Sequence, residues 1–325
     1  MKHFPLLPPA LVLLVSILVG CSEPDGRGQD AFRFVAEDDT LEAVSLLDTP
    51  LYRARIEGER GDRMQAQLEE ARMQWEQHPD SVESYIWYGR RLAYLGRYRD
   101  AIEVYTRGLE KFPDEPRLLR HRGHRFVTIR NLDRAIQDFD RAAAAVAGLP
   151  DEVEPDGQPN AADIPTSTLQ TNIWYHLGLA HYLQGNYDGA VEAFQRCFDL
   201  ASNNDMRVAS ADWLYMSLRR AGWHDEAERA IEFVTPGMDI LENHAYHQRL
   251  LLYRGLSGDD GIESIDWTQA DGVQVATLGY GVANWHLMEG RSEQAADLFE
   301  RVLQGSSWAA FGYIASEAQL AAGPN

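Results

Sequence analysis

Two histidine pairs, His121 with His124 and His244 with His247, have the residue types and the spacing that chemistry asks for. Set i, i+3 on a helix, each pair can share a face as metal ligands do. Neither has an evident third ligand, and the HExxH arrangement of a zinc peptidase is absent, so polar packing is the other use of these rings. Asp151, Glu152, Glu154 and Asp156, followed by Gly157, supply oxygens of the kind calcium takes. They lack the ligand spacing of a recognised calcium loop, which leaves a solvated acidic loop as the alternative. No GxSxG elbow, GxxxxGK[ST] phosphate loop or dinucleotide GxGxxG after a strand occurs. The expectation is therefore a protein without a cofactor or resident metal, and not an enzyme. Asp133, Asp138 and Asp140 read as the solvated face of one helix.

Composition narrows the partner classes. The 325 residues are 45% hydrophobic and 25% charged, which is the balance of a folded chain. A formal net charge of −20 argues against nucleic acid, because phosphate binding needs a basic footprint, and disfavours adhesion to anionic lipid. Only Cys21 and Cys197 are present. Cys197 falls where equivalent helices carry Gly108 and Ala142, so a buried structural thiol is expected there.

The elements that must position these residues announce themselves by a period. The stretch Tyr85 to Pro113 returns 34 residues later, at Leu119 to Ala147: Gly89 recurs as Gly123, Ala101 as Ala135, Tyr105 as Phe139 and Gly108 as Ala142. Small residues let one helix approach the next and aromatics wedge the remaining space. A single hairpin cannot cover its own apolar face, so neighbours must stack. The pattern resembles the tetratricopeptide repeat (TPR) family. That resemblance implies an all-α superhelical solenoid of antiparallel helix hairpins, about five or six of them, with a concave groove formed by the first helix of each.

The first residues carry another signal. Lys2 and His3 precede an apolar run from Leu6 to Val19 that ends Leu18-Val19-Gly20-Cys21. Interrupted by Pro8 and Pro9, the run is a poor membrane span. It looks like the signal peptide and lipobox of bacterial lipoproteins, an ordinary cleaved signal or a short anchor being the alternatives. By that resemblance Cys21 is the lipidated first residue of the mature chain, the acyl chains are the membrane attachment, and Ser22 favours sorting to the outer membrane.

In chain order, residues 1–20 read as the signal peptide and 21–38 as a flexible tether. Residues 39–81 read as N-terminal capping helices, with Leu41, Val44, Leu47 and Leu51 at helical spacing and Pro50 marking a break or bend near the end of that segment, then Met64, Leu68, Ala71 and Trp75 as a second stripe. Repeats one and two span 82–149. Their inter-helix turns place Gly96, and in the second Asn131, where a positive φ ends a helix cheaply. Residues 150–168, with their prolines and acids, form an inserted loop able to lid the groove. Repeats three and four span 169–236, and 237–272 is a degenerate repeat whose Glu242–Arg254 helix lacks an obvious partner. A C-terminal repeat and capping helix occupy 273–325, the cap running from Trp308 to Leu320. His181 and His286 stand at usually aromatic positions and read as half-buried packing residues.

The family's groove-facing offsets, carried onto this chain, fall on Arg90 and Tyr94, on Arg120, His121 and His124, on Asn172, Tyr175 and His176, and on Trp213 and Arg219. Arginine pairs bidentately with carboxylates, and Tyr, Trp and His offer flat surfaces with polar edges. One reading is a groove for an extended peptide or chain terminus, with Arg90, Arg120 and His124 facing a carboxylate; the other is that these residues make inter-repeat contacts or face water. The expected function is a lipid-anchored scaffold of the cell envelope that binds a protein or peptide. The alternative is a periplasmic module for a small or carbohydrate ligand, held beneath the 149–165 loop by Trp174, Tyr175 and Trp213.

Overall fold

The computed structural model describes residues 40–257, 267 and 272–323. The expected signal peptide, Cys21 and the tether lie outside the described residues, as do 258–266 and 268–271 of the degenerate segment. A short hairpin, β1 (Leu41–Val44) and β2 (Pro50–Tyr52), comes first. Helices follow: α1 (Gly58–Gln77), α2 (Val82–Tyr94), α3 (Tyr98–Lys111), α4 (Pro116–Thr128), α5 (Leu132–Ala145), α6 (Leu169–Leu183) and α7 (Tyr187–Leu200). Then come α8 (Asn204–Ala221), α9 (His224–Ala230), α10 (His244–Tyr253), α11 (Gly272–Met288), α12 (Ser292–Leu303) and α13 (Phe311–Ala322). Sequential neighbours pack as hairpins, α2 with α3, α4 with α5, α6 with α7, α8 with α9 and α11 with α12.

The period in sequence is a period in packing. A Cβ built on Gly123 would lie 2.8 Å from the Phe139 ring, and one on Gly178 would lie 2.9 Å from the Phe194 ring. Gly89 faces the Tyr105 ring in the same way. Each first helix therefore lies against an aromatic ring of its own second helix, at a distance only a missing side chain permits. Cys197 is fully buried among them, its Sγ 3.4 Å from the Thr171 carbonyl, and burial pushes the thiol up.

Several expectations are corrected. Residues 41–52 are a β-hairpin rather than a capping helix. Leu41, Val44 and Leu47 are exposed, and it is Glu42, Ala43 and Leu51 that are buried, so the apparent helical stripe was not a core face. Pro50 sits opposite Val44 at the end of the pairing, where its missing N–H costs little, and Asp48 takes a φ of 59° in the turn. The buried Glu42 carboxylate accepts from Arg53 (2.6 and 3.0 Å) and from the Arg99 amide (3.0 Å), tying the hairpin to the start of α3. Asp138 is not solvated: it is 3% exposed and accepts a bidentate pair from Arg122 at 2.7 and 2.8 Å. The degenerate segment's α10 has partners, α8 and α11. Finally, Arg130 rather than Asn131 takes the left-handed turn, with φ 65°, at the position equivalent to Gly96.

That arginine has a structural task. Its Nε and Nη2 donate to the two oxygens of Glu317 on α13 at 3.0 and 2.7 Å, and Nη2 also donates to the Trp308 carbonyl at 2.8 Å. Arg130 and Glu317 are 2% and 1% exposed at their side chains. Glu317 in addition accepts from the Leu46 amide at 3.2 Å, and Trp308 Nε1 donates to the Tyr52 carbonyl at 2.9 Å. The last helix thus packs on α11 and α12 as a cap, and also returns to α6, the second repeat and the hairpin. A carboxylate and guanidinium this buried are tolerable only as a well-bonded pair, and this pair fixes the C-terminal helix against the beginning of the stack.

Candidate functional site

The first helices α2, α4 and α6 stand side by side and present the expected groove residues on adjoining faces, but the chain itself covers them. The 150–168 loop is fastened at both ends. Val153 bridges to Thr168, the Leu169 amide donates to the Glu152 carbonyl at 2.8 Å, and Asp151 accepts from Thr168 Oγ1 and the Gln170 amide at 2.6 and 3.0 Å. In between, Arg90 Nη1 donates to the Pro155 carbonyl at 2.7 Å and Arg91 Nη1 to the Gly157 carbonyl at 3.3 Å. The loop is therefore the lid that its position suggested.

Glu154 is the key to the lid. Its Oε2 accepts from Asn172 Nδ2 at 2.7 Å and lies 3.2 Å from Arg120 Nη2, while Oε1 lies 2.9 Å from His121 Nε2. Arg120 Nη1 also sits 2.8 Å from His121 Nδ1. A guanidinium can only donate, so Nδ1 is the acceptor and the ring proton is on Nε2, turned toward Glu154. Burial and the adjacent Arg120 charge hold His121 down at about 3. Burial alone would raise Glu154, but Arg120 and His121 outweigh it and hold the carboxylate below its usual range. Of the three residues expected to face a carboxylate, Arg120 alone does so, joined by His121 and Asn172, and that carboxylate belongs to this chain.

The remaining candidates divide. Arg90 meets carbonyl and phenol oxygens, its Nε donating to Tyr94 Oη at 3.2 Å, and not a carboxylate. His124 does not face a carboxylate either: its ring lies between His176 (4.4 Å) and Phe311 of α13 (5.3 Å). His176 donates from Nδ1 to the Asn172 carbonyl at 2.6 Å; burial, then Arg120, holds it down at about 3, and His124 is pushed well below its usual range by burial and by Arg125. Tyr175 is buried and donates to Tyr246 Oη at 2.9 Å. Trp213 is 1% exposed, stacked between Phe194 and Tyr280, so it belongs to the core rather than to a groove wall. Arg219 ties α8 to the end of α11 through the Met288 carbonyl and Glu289, both at 3.0 Å. A ligand seat beneath the loop made by Tyr175 and Trp213 is therefore not formed, because both rings are spent on packing.

The histidine pairs also part company: His121 faces Glu154 while His124 stacks, and His247 Nε2 lies 2.8 Å from the Thr235 carbonyl while His244 turns to a cavity. His181 lies 3.2 Å from Asn186 Nδ2, and His286 accepts from Arg291 Nε at 2.7 Å. Among the described residues, no three His, Cys, Asp or Glu side chains gather as a metal site requires.

Several concavities remain, and two of them bring aromatic and charged side chains together. A cavity of about 690 Å³ lies where the hairpin's exit, α2, α4, α10, α11 and the 306–311 turn converge, with Tyr94, Tyr98, His124, Arg125, Tyr246 and Trp308 on its wall. A groove of about 410 Å³ runs between α1 and α2, past Gln67, Gln74, Trp87 and Arg91. Neither was legible beforehand. Trp87 and Arg125 each lie one residue from, or next to, positions that the repeat offsets favour, but only the closure by α13 makes the larger cavity.

Models of the tetratricopeptide repeat match residues 88–150 and 171–204. This chain carries TPR repeats. The matched stretches hold α3, α4, α5, α7 and most of α2 and α6, which are the helices that display the Gly-to-ring contacts. Among solved structures it is similar to a TPR protein from Parabacteroides merdae, at 16% identity over 76% of this chain and 88% of the other, with a TM-score of 0.45. It is also similar to YrrB, described as a TPR protein with an unusual peptide-binding site, at 15% identity over 72% and 91% with a TM-score of 0.39. A third likeness is to Pseudomonas aeruginosa pilF, at 16% identity over 75% and 85% with a TM-score of 0.42. No curated protein matches the chain. The TPR architecture is all-α, apart from the short hairpin, and among the described residues no helix is long and apolar enough to cross a membrane.

Proposed function

We propose that this protein is a lipid-anchored TPR scaffold of the bacterial cell envelope, facing the periplasm from the outer membrane, that recruits a protein partner. The observation that carries the reading is the open groove between α1 and α2. No residue of α13 lines it, and the 150–168 loop borders it where Arg91 donates to the Gly157 carbonyl. Trp87, half-buried with Arg90 and Arg91 at 4.6 and 5.2 Å from its ring, offers an aromatic platform flanked by charge, the composition that anchors a partner's helix. An extended peptide along α2, α4 and α6 is the less favoured mode, because Glu154 already fills the Arg120 and His121 clamp. Supporting the address are the apolar run ending at Cys21 and the polar residues after it.

The test is affinity capture from intact envelopes with the lipidated protein and with a soluble form beginning after Cys21, each beside its Trp87→Ala, Arg91→Ala variant. A partner recovered with both wild-type forms and lost with both variants is expected. Reproducible recovery of nothing, or capture unaffected by the two substitutions, would sink the proposal. The lipid claim is read separately, as the acyl mass on the N-terminal peptide and its loss in Cys21→Ser.

A further inference from the structure

The 690 Å³ cavity falls in the size range of small-molecule sites, and its wall is mostly aromatic and aliphatic. Arg125 stands in that wall without an ionic partner. Its guanidinium lies over the Tyr98 ring at 5.4 Å, and among the described residues no carboxylate pairs with it. Every other arginine presented by α4 is matched, Arg117 to Glu83 and Glu115, Arg120 to Glu154 and Arg122 to Asp138. The acid lining the same cavity, Glu242, is at its rim and accepts from Thr166 Oγ1 and Asn160 Nδ2. His124, held neutral by burial, adds no charge. In a chain of net charge −20, a half-buried cation that no described carboxylate pairs with, facing a largely apolar cavity, is a seat for a negative group.

From this we infer that the cavity binds an amphiphilic anion. The headgroup, a carboxylate or a phosphate monoester, would pair with Arg125, and a flat or aliphatic body would lie against Tyr98, Trp308 and Phe311. Tyr98 and Trp308 already meet edge to face at 5.3 Å, so the wall is built before a ligand arrives. Burial pulls the guanidinium down from its ordinary value, and an incoming anion restores it. The inference is independent of the scaffold reading, since the cavity lies apart from Trp87.

Three fluorescent probes on one body separate the contributions: 1-pyrenebutyrate, 1-pyrenebutyl phosphate and the uncharged 1-pyrenebutanol, titrated into the full chain, with inorganic phosphate as the headgroup alone. A charge-assisted hydrogen bond in such a site corresponds to about 10- to 100-fold in affinity, so the anions should bind at least about tenfold more tightly than the alcohol. Whichever anion binds more tightly identifies the headgroup. Arg125→Gln should abolish the difference while leaving alcohol binding in place, and Arg125→Lys should keep part of it. Thr277→Phe, which fills the cavity from α11, should weaken all three pyrenes. Equal binding of alcohol and anions, discrimination unchanged in Arg125→Gln, or pyrene binding untouched by Thr277→Phe would each overturn the inference.

Discussion

Breaking the Arg130–Glu317 pair should cost far more than any surface charge in this protein. Both side chains are almost fully buried and joined by two hydrogen bonds, at 3.0 and 2.7 Å. Removing one partner of such a pair leaves an uncompensated charge, worth about 3–5 kcal/mol. Arg130 has a second distinguishing property, its φ of 65°, which costs a residue with a Cβ about 1–2 kcal/mol. Arg130→Ala should therefore lose about 3–5 kcal/mol in urea unfolding followed by circular dichroism, whereas Arg130→Gly, losing the same pair but relaxing the turn, should lose about 1 kcal/mol less. Glu317→Leu combined with Arg130→Met should recover much of either single loss, because the pair is then replaced by apolar contact. Hydrogen exchange should rise first in α13. A loss below about 1 kcal/mol for Arg130→Ala, or a glycine variant no better than the alanine, would refute the account of this contact.

Other outcomes follow from the same geometry. His121 and His176 are held at about 3, so below the ordinary 6.5 the unfolded chain takes up protons that the folded chain refuses; stability is full above that value and falls as pH drops toward 3, by about 2 kcal/mol for each ring at pH 5. Urea midpoints at pH 7, 6 and 5 check the sign, and a flat profile would contradict it. Gly178→Ala places a methyl against the fully buried Phe194 ring and should destabilise by about 1–2 kcal/mol after the alanine's helix preference is credited, measured by thermal unfolding. Glu154→Ala leaves Arg120 and His121 without their carboxylate and should make the 150–168 loop the first site of limited proteolysis; unchanged cleavage would mean the loop's end fastenings suffice.

What could be read from the residues was whatever repeats. Gly89, Gly123 and Gly178 each face a ring of the following helix, and a contact formed within one 34-residue unit leaves its trace at a fixed spacing. Contacts made once leave none. Glu154 is one acid in a run of acids, and nothing local separates it from Glu152 or Asp156 until the loop is seen to lie on α4. Arg130 and Glu317 are 187 residues apart, so neither marks the other in a single sequence. Leu41, Val44 and Leu47 were misleading because helical spacing over so few residues arises by chance, and the strand shows no alternation to oppose it, since the adjacent Glu42 and Ala43 are both buried at an irregularity in the pairing. Of the trio expected to face a carboxylate only Arg120 does, with His121 in the place given to His124, and the carboxylate source inside the same chain was invisible.

The tie from the second repeat to the last helix also changes how the molecule must assemble. A stack of hairpins ordinarily grows from any point, each unit satisfied by its neighbour. Here the Trp308 indole reaches Tyr52 across 256 residues, so part of the final structure waits until residue 308 has been made. A nascent chain emerging from the ribosome, or one cut short before Phe311, presents His124 and His176 uncovered and lacks one side of the chamber around Arg125. The chamber is closed only once α13 and the turn before it are in place.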